Sequence, residues 1–327
     1  MLTDVYPEDE IQALIVLDEL TYPVINPNNN HYKPFPNNMT EAQTYFRRFA
    51  TDLSGAFEQL QQKGFIHKEN DVWFLTSSGK SIADEIRLLR PPIYYWYRDF
   101  YIAIENSHAF EEFSNRVFGK NLGQHDFCDL NDIQKMLDLL KLNTSSLVLD
   151  IGCGNGKIAE YISDQTGASV MGIDYIHEAI AQALQRTVHK RERLDFRFGN
   201  LEFLDFAPEF FNIVLSIDSI YFGRDMGKTL FNLNRLLKPD GRMAIFYLNM
   251  GDGELPTVLS GKYLYEVYDF SQKHYEHMRM KHRIASEMKD AFAKEGNTFI
   301  WKNLMEESIP SLEPHNPAIN INPMTRF

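Results

Sequence analysis

The spacing of apolar residues predicts two helices and a strand pair in the first 90 residues. Residues 7–20 and 41–63 repeat apolar side chains every three or four positions, which indicates a helix in each stretch. Gly64 follows the second stretch and ends it, and two short apolar runs after it predict a strand pair. Thr76 or Ser77 is then placed to cap a third helix.

The pattern changes in the middle of the chain. Pro91 and Pro92 close the first region, because proline does not continue a helix. Residues 93–125 predict a helical linker or lid rich in aromatic side chains, for which helical spacing favours packing over pocket lining. From Ser146 onwards, short apolar runs alternate with helical stretches, which predicts a parallel sheet covered by helices. The expected strands are Leu147–Asp150, Val170–Ile173, Leu194–Phe198, Ile213–Ile217 and Met243–Leu248.

Composition and charge narrow the functional class. The chain has 327 residues, 44% of them hydrophobic, and a net charge of −12. This acidity disfavours binding to nucleic acid or to anionic membranes, and no apolar run approaches the roughly 20 residues of a membrane span. The acidic N-terminus lacks the features of a signal peptide. Cys128 and Cys153 are too few for a disulfide framework or a metal cluster, so we expect a cytoplasmic protein without a metal site.

A glycine-rich turn follows the first strand of the predicted sheet. It has the form Asp150-x-Gly152-x-Gly154-x-Gly156 and leads directly into a helix. Glycines at such a turn let backbone amides approach a ligand closely. The dinucleotide fingerprint needs a glycine at the sixth position from Gly152, where this chain has Lys157, and no Gly-Lys-Ser/Thr phosphate loop is present.

Polar side chains also mark the ends of the next strands. Asp174 ends the second strand, where its carboxylate suits two vicinal ribose hydroxyls. Asn200 follows the third strand and offers an amide to an adenine edge. The fourth strand runs into Asp218 and Tyr221, and Lys238-Pro-Asp-Gly predicts a turn before the fifth.

These features, in this order, resemble the class I S-adenosylmethionine-dependent methyltransferases over about residues 146–250. The resemblance implies an α/β fold with a Rossmann-like, doubly wound and mostly parallel sheet. It implies S-adenosylmethionine as cofactor and S-adenosylhomocysteine as product, with Asn200 departing from the commoner Asp. The expected cofactor-binding residues are Asp150, Gly152, Cys153, Gly154, Gly156, Asp174, Tyr175, Asn200, Leu201 and Ser216.

Three residues are the candidates for catalysis. Asp218 and Tyr221 lie where the resemblance places the methyl group, although both also suit strand capping and packing. His125 precedes the sheet and is the candidate base, because its unperturbed pKa lies near neutrality. The segment Gly123–His125 is either a cover for the cofactor's carboxylate end or a helix-start loop.

The N-terminal and C-terminal regions carry further expectations. Residues 1–92 resemble a winged-helix domain, for which the surplus of acidic residues favours protein–protein contact, such as a homodimer, over DNA binding. The domain 126–327 contains an insertion, 251–281, that is either a substrate lid or a structural element. We expect a sixth strand at 298–303 and a very short or missing seventh strand at 325–327.

The leading hypothesis is in-line methyl transfer to a small molecule, with no membrane and no nucleic acid as partner. Two alternatives remain: a cofactor-binding, DNA-associated regulator with little catalysis, and a protein or RNA methyltransferase. Turnover distinguishes them, because a regulator binds the cofactor without releasing product.

Overall fold

A computed structural model gives the fold of most of the chain. The described residues are 5–21, 53–70, 72–90, 94–125, 128–223, 226–246, 271–297, 300–301 and 304. Outside them lie the Pro/Asn-rich segment 23–38, whose composition predicts a loop, the start of the predicted helix 41–63, most of the insertion and the predicted seventh strand.

The N-terminal region has the predicted element order. Its elements are α1 (Glu8–Thr21), α2 (Leu53–Gln62), β1 (Ile66–Glu69), β2 (Val72–Leu75) and α3 (Ser77–Leu89). Gly64 follows α2 with a φ of 73°, a conformation that glycine adopts without strain. Thr76 caps α3, because its side chain accepts a hydrogen bond from the backbone N–H of Gly79.

Ion pairs join these helices to one another. Buried Arg87 donates to Asp18 at 2.9 Å and links α3 to α1. Arg90 donates both terminal nitrogens to the Glu8 carboxylate at 2.8 Å, a bidentate geometry that favours Arg over Lys. The N-terminal unit is therefore held by charged as well as apolar contacts.

Three helices connect this unit to the sheet. They are α4 (Tyr94–Ile104), α5 (His108–Phe118) and α6 (Leu130–Leu140). Ser107 caps α5 by accepting from Phe110 N, and Gly119 ends α5 in the left-handed conformation. Most of residues 94–125 are therefore helical, as the aromatic-rich pattern predicts.

Among the described residues, the sheet has five parallel strands in the order β5-β4-β3-β6-β7. The chain reverses its direction of travel across the sheet after β5, so a topological switch lies beside β3. The five strands are β3 (Leu147–Ile151), β4 (Ser169–Asp174), β5 (Leu194–Phe198), β6 (Phe211–Ile217) and β7 (Leu237–Phe246). The helices that cover them are α7 (Lys157–Thr166), α8 (His177–Arg186) and α9 (Met226–Leu236).

The last strand corrects one expectation. Residues 238–241 belong to β7, which the sequence pattern began at Met243. Pairing with β6 jumps from Phe211–Leu237 to Ile213–Arg242. The Lys-Pro-Asp-Gly segment is thus an irregularity within the strand, where a proline is tolerated because the regular ladder is interrupted.

The C-terminal region also differs from expectation. The sequence pattern predicts one helix at His282–Lys294, and the structure has two there, α10 (Ser271–Glu287) and α11 (Lys289–Lys294). The predicted sixth strand at 298–303 is wrong at Ile300 and Trp301, which are helical, as is Leu304. Ile300 and Leu304 are both buried, and their spacing of four places both on one face of a helix.

Candidate functional site

Left-handed glycines shape the turn that leaves β3. Gly152, Gly154 and Gly156 have φ values of 71°, 55° and 71°, which strain residues with a Cβ atom. A Cβ on Gly154 would also lie 2.1 Å from the hydroxyl of Tyr101, and one on Gly152 would lie 2.3 Å from Ser219 Cβ. The glycines are therefore required by both backbone conformation and close packing.

The end of β4 holds this turn in place. Asp174 accepts hydrogen bonds from Gly154 N and Ile176 N, each at 2.8 Å. The backbone N–H groups of Gly152 and Cys153 donate to Ile173 O. A carboxylate has about four acceptor positions, so Asp174 keeps acceptor capacity after these bonds.

Two buried carboxylic acids lie under the turn. Asp150 is 2% exposed and Asp174 is 7% exposed. Burial raises the pKa of Asp150 to about 7, and the negative charge of Asp174 adds to the increase. Burial also raises the pKa of Asp174 to about 6, although backbone N–H donors oppose the shift. Both acids consequently titrate near neutrality, and a cationic ligand would favour their ionised forms.

The end of β6 meets the same turn. Ser216 Oγ and Ser219 Oγ lie 2.7 Å apart, and Ser219 Oγ donates to Ile151 O at 2.5 Å. Between the two serines, Asp218 has a φ of 48°, a strained conformation for a non-glycine residue that is common at functional sites. Tyr221 belongs to a short 3-10 helix at 220–222, and its side chain lies outside the described part of the structure.

The segment before the sheet reaches this site. Gly123 packs against the glycine turn, because a Cβ on it would lie 2.6 Å from Asn155 Oδ1. Gln124 is buried and accepts from Leu122 N, while its Nε2 has no hydrogen-bond partner among the described residues. His125 follows, with its ring centroid 4.4 Å from that of Trp96 and 5.0 Å from that of Phe100.

A line of aromatic rings connects His125 to the end of β4. The ring centroid of Tyr97 lies 6.1 Å from that of His125 and 5.7 Å from that of Phe222. Phe222 in turn lies 6.4 Å from Tyr175, the residue after Asp174. The ring contacts thus join the candidate base, the end of β6 and the end of β4 along the carboxyl edge of the sheet.

Comparison with known proteins decides the family. A family model described as a methyltransferase domain matches residues 142–308, just over half of the chain. This chain belongs to the S-adenosylmethionine-dependent methyltransferases. S-adenosylmethionine is accordingly its cofactor.

Individual relatives of this methyltransferase match shorter regions. It is 28% identical over 114 residues to the methyltransferase GfsG of Streptomyces halstedii, covering 34% of this chain and 41% of the relative. It is 36% identical over 102 residues to a ubiquinone biosynthesis O-methyltransferase of Bradyrhizobium diazoefficiens, covering 31% and 40%. The solved YcgJ protein of Bacillus subtilis is 22% identical, with a TM-score of 0.34 and coverage of 50% and 66%. The matches thus span about two fifths of the two curated relatives.

Three of the predicted cofactor residues, Cys153, Tyr175 and Leu201, are buried. Cys153 is buried and its Sγ contacts Gly154 O, while burial raises the pKa of its thiol well above the usual range. Such a thiol suits packing and not nucleophilic chemistry. Leu201 and Tyr175 are buried in two different core clusters.

Asn200 has a partner in the N-terminal region. Its Nδ2 donates to Leu88 O at the end of α3, at 3.2 Å, and its Oδ1 accepts from Glu202 N. The contact of Asn200 with adenine stays a prediction, as do the other cofactor contacts.

Two residues that pack against the glycine turn were not predicted from the sequence. Ser219 ties the end of β6 to the end of β3, and its position three residues after Ser216 was the only sequence signal. Tyr101 contacts Gly154 from α4. Its helical spacing favoured packing, and that pattern carries no information about which loop the hydroxyl meets.

Proposed function

We propose that this protein transfers the methyl group of S-adenosylmethionine to a small-molecule acceptor. The observation that carries the proposal is the glycine turn bound to Asp174, within a chain that matches the methyltransferase family. Asp174 retains acceptor positions for the ribose hydroxyls. Bound S-adenosylmethionine supplies a methyl group on a positively charged sulfur.

The residues of the chain mainly align the acceptor and exclude water. Proximity and in-line orientation lower the barrier without a chemical contribution from the protein. The aromatic rings of Tyr97, Phe222 and Tyr175 present apolar surface along the edge of the sheet. Such surface keeps the acceptor desolvated and nucleophilic.

Charged and polar groups take the remaining roles. Asp218 would favour the nearby sulfonium electrostatically, and Tyr221 would orient the acceptor by a hydrogen bond. His125 would remove a proton where the acceptor must lose one. Gln124 Nε2 is a buried donor that suits the carboxylate end of the cofactor.

Charge supports a small acceptor over a nucleic acid. The net charge is −12, and three of the described basic side chains of the N-terminal unit are paired: Lys63 with Glu10, Arg87 with Asp18 and Arg90 with Glu8. A phosphate-binding face needs basic groups that can meet phosphates. One relative is named for O-methylation in ubiquinone biosynthesis, which supports a small acceptor.

We propose a protein–protein role, such as a homodimer contact, for the N-terminal unit.

Turnover tests the proposal. The protein is incubated with S-adenosylmethionine and fractions of a metabolite extract, and S-adenosylhomocysteine is followed by mass spectrometry. We expect product with at least one fraction. Parallel incubations with protein and RNA fractions test the other acceptor classes, and product with those fractions alone would contradict a small-molecule acceptor. Cofactor binding without product from any fraction would contradict methyl transfer and favour a regulator.

Variants then test the proposed roles. We expect Tyr221→Phe and His125→Ala to lower turnover more than cofactor affinity, and Asp218→Ala to lower both. A full rate for His125→Ala across about pH 6 to 9 would exclude His125 as a base.

A further inference from the structure

A fully buried lysine lies behind the candidate base. Lys281 on α10 is 0% exposed, although an ammonium group is costly to remove from water. Its Nζ donates to the backbone carbonyl of His125 at 2.8 Å. This hydrogen bond joins residues 156 positions apart, so it links α10 directly to the segment before the sheet.

The helix that carries Lys281 packs against the same aromatic side chains as His125. Helix α10 packs on α5, and its Ile284 and Ala285 share a core cluster with Trp96 and Phe100. The same two aromatic rings contact the imidazole of His125. His125 is thus held at two points, its carbonyl by Lys281 and its ring by the aromatic side chains.

The segment that Lys281 anchors is short and tightly folded. Leu122 N donates to Gln124 Oε1 at 2.7 Å, and Gly123 N donates to Asn121 Oδ1 at 3.1 Å. Gly123 lies against Asn155 of the glycine turn. A displacement of the His125 carbonyl would therefore move the imidazole relative to both the turn and the end of β6.

We infer that Lys281 is a positioning residue for methyl transfer, which holds the carbonyl of His125 and thereby orients its imidazole towards the acceptor. The inference rests on the proposed function for its catalytic meaning. The positioning itself is a property of the protein without substrate. Lys281 would act through the backbone carbonyl of His125, to which its Nζ donates.

Chemical labelling of His125 tests the positioning. Wild type and Lys281→Met are treated with diethyl pyrocarbonate, and modification of His125 is quantified by peptide mass spectrometry. A hydrogen bond from a charged donor stabilises enough for its loss to raise the labelling rate roughly 10-fold. Lys281→Arg keeps a cationic donor and should restore most of the protection.

Arg283→Met is the matched control. It removes an exposed cation two residues along the same helix, and we expect the labelling of His125 to stay unchanged. Melting curves confirm that each variant is folded. Unchanged labelling and unchanged hydrogen exchange at residues 121–125 in folded Lys281→Met would overturn the inference.

Kinetics connect the positioning to catalysis. With an acceptor found by the turnover screen, Lys281→Met should lower kcat roughly 10-fold with little change in the KM for S-adenosylmethionine, and Lys281→Arg should recover it. An unchanged kcat would overturn the catalytic part. If the wild type shows no turnover with any acceptor while Lys281→Met exposes His125, the proposed function fails and the positioning stands.

Discussion

At the scale of single residues, Asp218 combines backbone strain with a candidate catalytic role. Its φ of 48° costs a non-glycine residue about 1–2 kcal/mol. The free energy of unfolding of Asp218→Gly should therefore exceed that of Asp218→Ala by about 1 kcal/mol. Asp218→Gly should accordingly unfold at a higher denaturant concentration. Both variants should lose turnover, because both lack the carboxylate. Equal stability of the two would show that the strain is absent.

The buried acids at the glycine turn predict a pH dependence of stability. The folded pKa of Asp150, about 7, lies above its ordinary value of 3.8 because of burial. Its contribution to stability is thus fully present below about pH 4 and is lost as the pH rises through 7.

Asp150→Asn removes this titration. Urea unfolding between about pH 5 and 8 should show the variant gaining stability relative to wild type as the pH rises. A difference between the two proteins that is constant across this range would contradict the raised pKa.

At the scale of elements, the contact between α4 and the glycine turn is testable. Gly154→Ala places a Cβ 2.1 Å from the Tyr101 hydroxyl and also strains the backbone. We expect a loss of about 2–4 kcal/mol, combining overpacking and strain. Gly296→Ala has similar φ but open space around it, so it should cost only the strain of about 1–2 kcal/mol.

Removing the hydroxyl of Tyr101 separates the cost of overpacking from the cost of backbone strain. Tyr101→Phe should recover part of the Gly154→Ala loss, and a double-mutant cycle measures the coupling. Strict additivity of the two substitutions would mean that Tyr101 does not meet the turn.

The elements show what the sequence could predict. Strands β3 to β6, the glycine turn and the cap at Thr76 follow from local patterns, because apolar runs, glycines and capping residues act within a few positions. The prediction of a sixth strand was wrong. It relied on the β propensity of Ile300 and Trp301, whereas packing against helices that are distant in the chain favours a helix at these residues. The contacts of Lys281, Tyr101 and Asn200 join positions far apart in the chain, so no local pattern reports them.

At the scale of the whole molecule, the N-terminal unit shares its core with the cofactor domain. One apolar cluster contains Leu14 and Phe57 together with Tyr175 and Ile176. Asn200 also bonds to Leu88 O across the same boundary. Because they share buried surface, we expect the two regions to unfold together, in one calorimetric transition that S-adenosylhomocysteine shifts upward. Two separate transitions, only one of them sensitive to the ligand, would contradict this coupling.

Removing a buried ion pair of the N-terminal unit is a second test of the coupling between the two regions. Asp18→Ala leaves Arg87 buried beside it without this partner, which should cost about 3–5 kcal/mol. Asp84→Ala also removes a carboxylate that contacts Lys80, but Asp84 is exposed, so its cost should stay below about 1 kcal/mol. The Asp18 variant should lower the melting temperature of the whole molecule, and a loss confined to the N-terminal unit would speak against a shared core. Among the described residues no helix is long and apolar enough to cross a membrane.

The central claim is that the turn after β3 and Asp174 hold the cofactor. Calorimetric titration with S-adenosylhomocysteine tests it most directly. Asp174→Ala should weaken binding roughly 10- to 100-fold, because hydrogen bonds to a charged group contribute about 1.5–3 kcal/mol. Asp195→Ala, which removes an exposed carboxylate from the neighbouring strand, should leave the affinity unchanged. Equal affinity of folded Asp174→Ala and wild type would contradict the assignment.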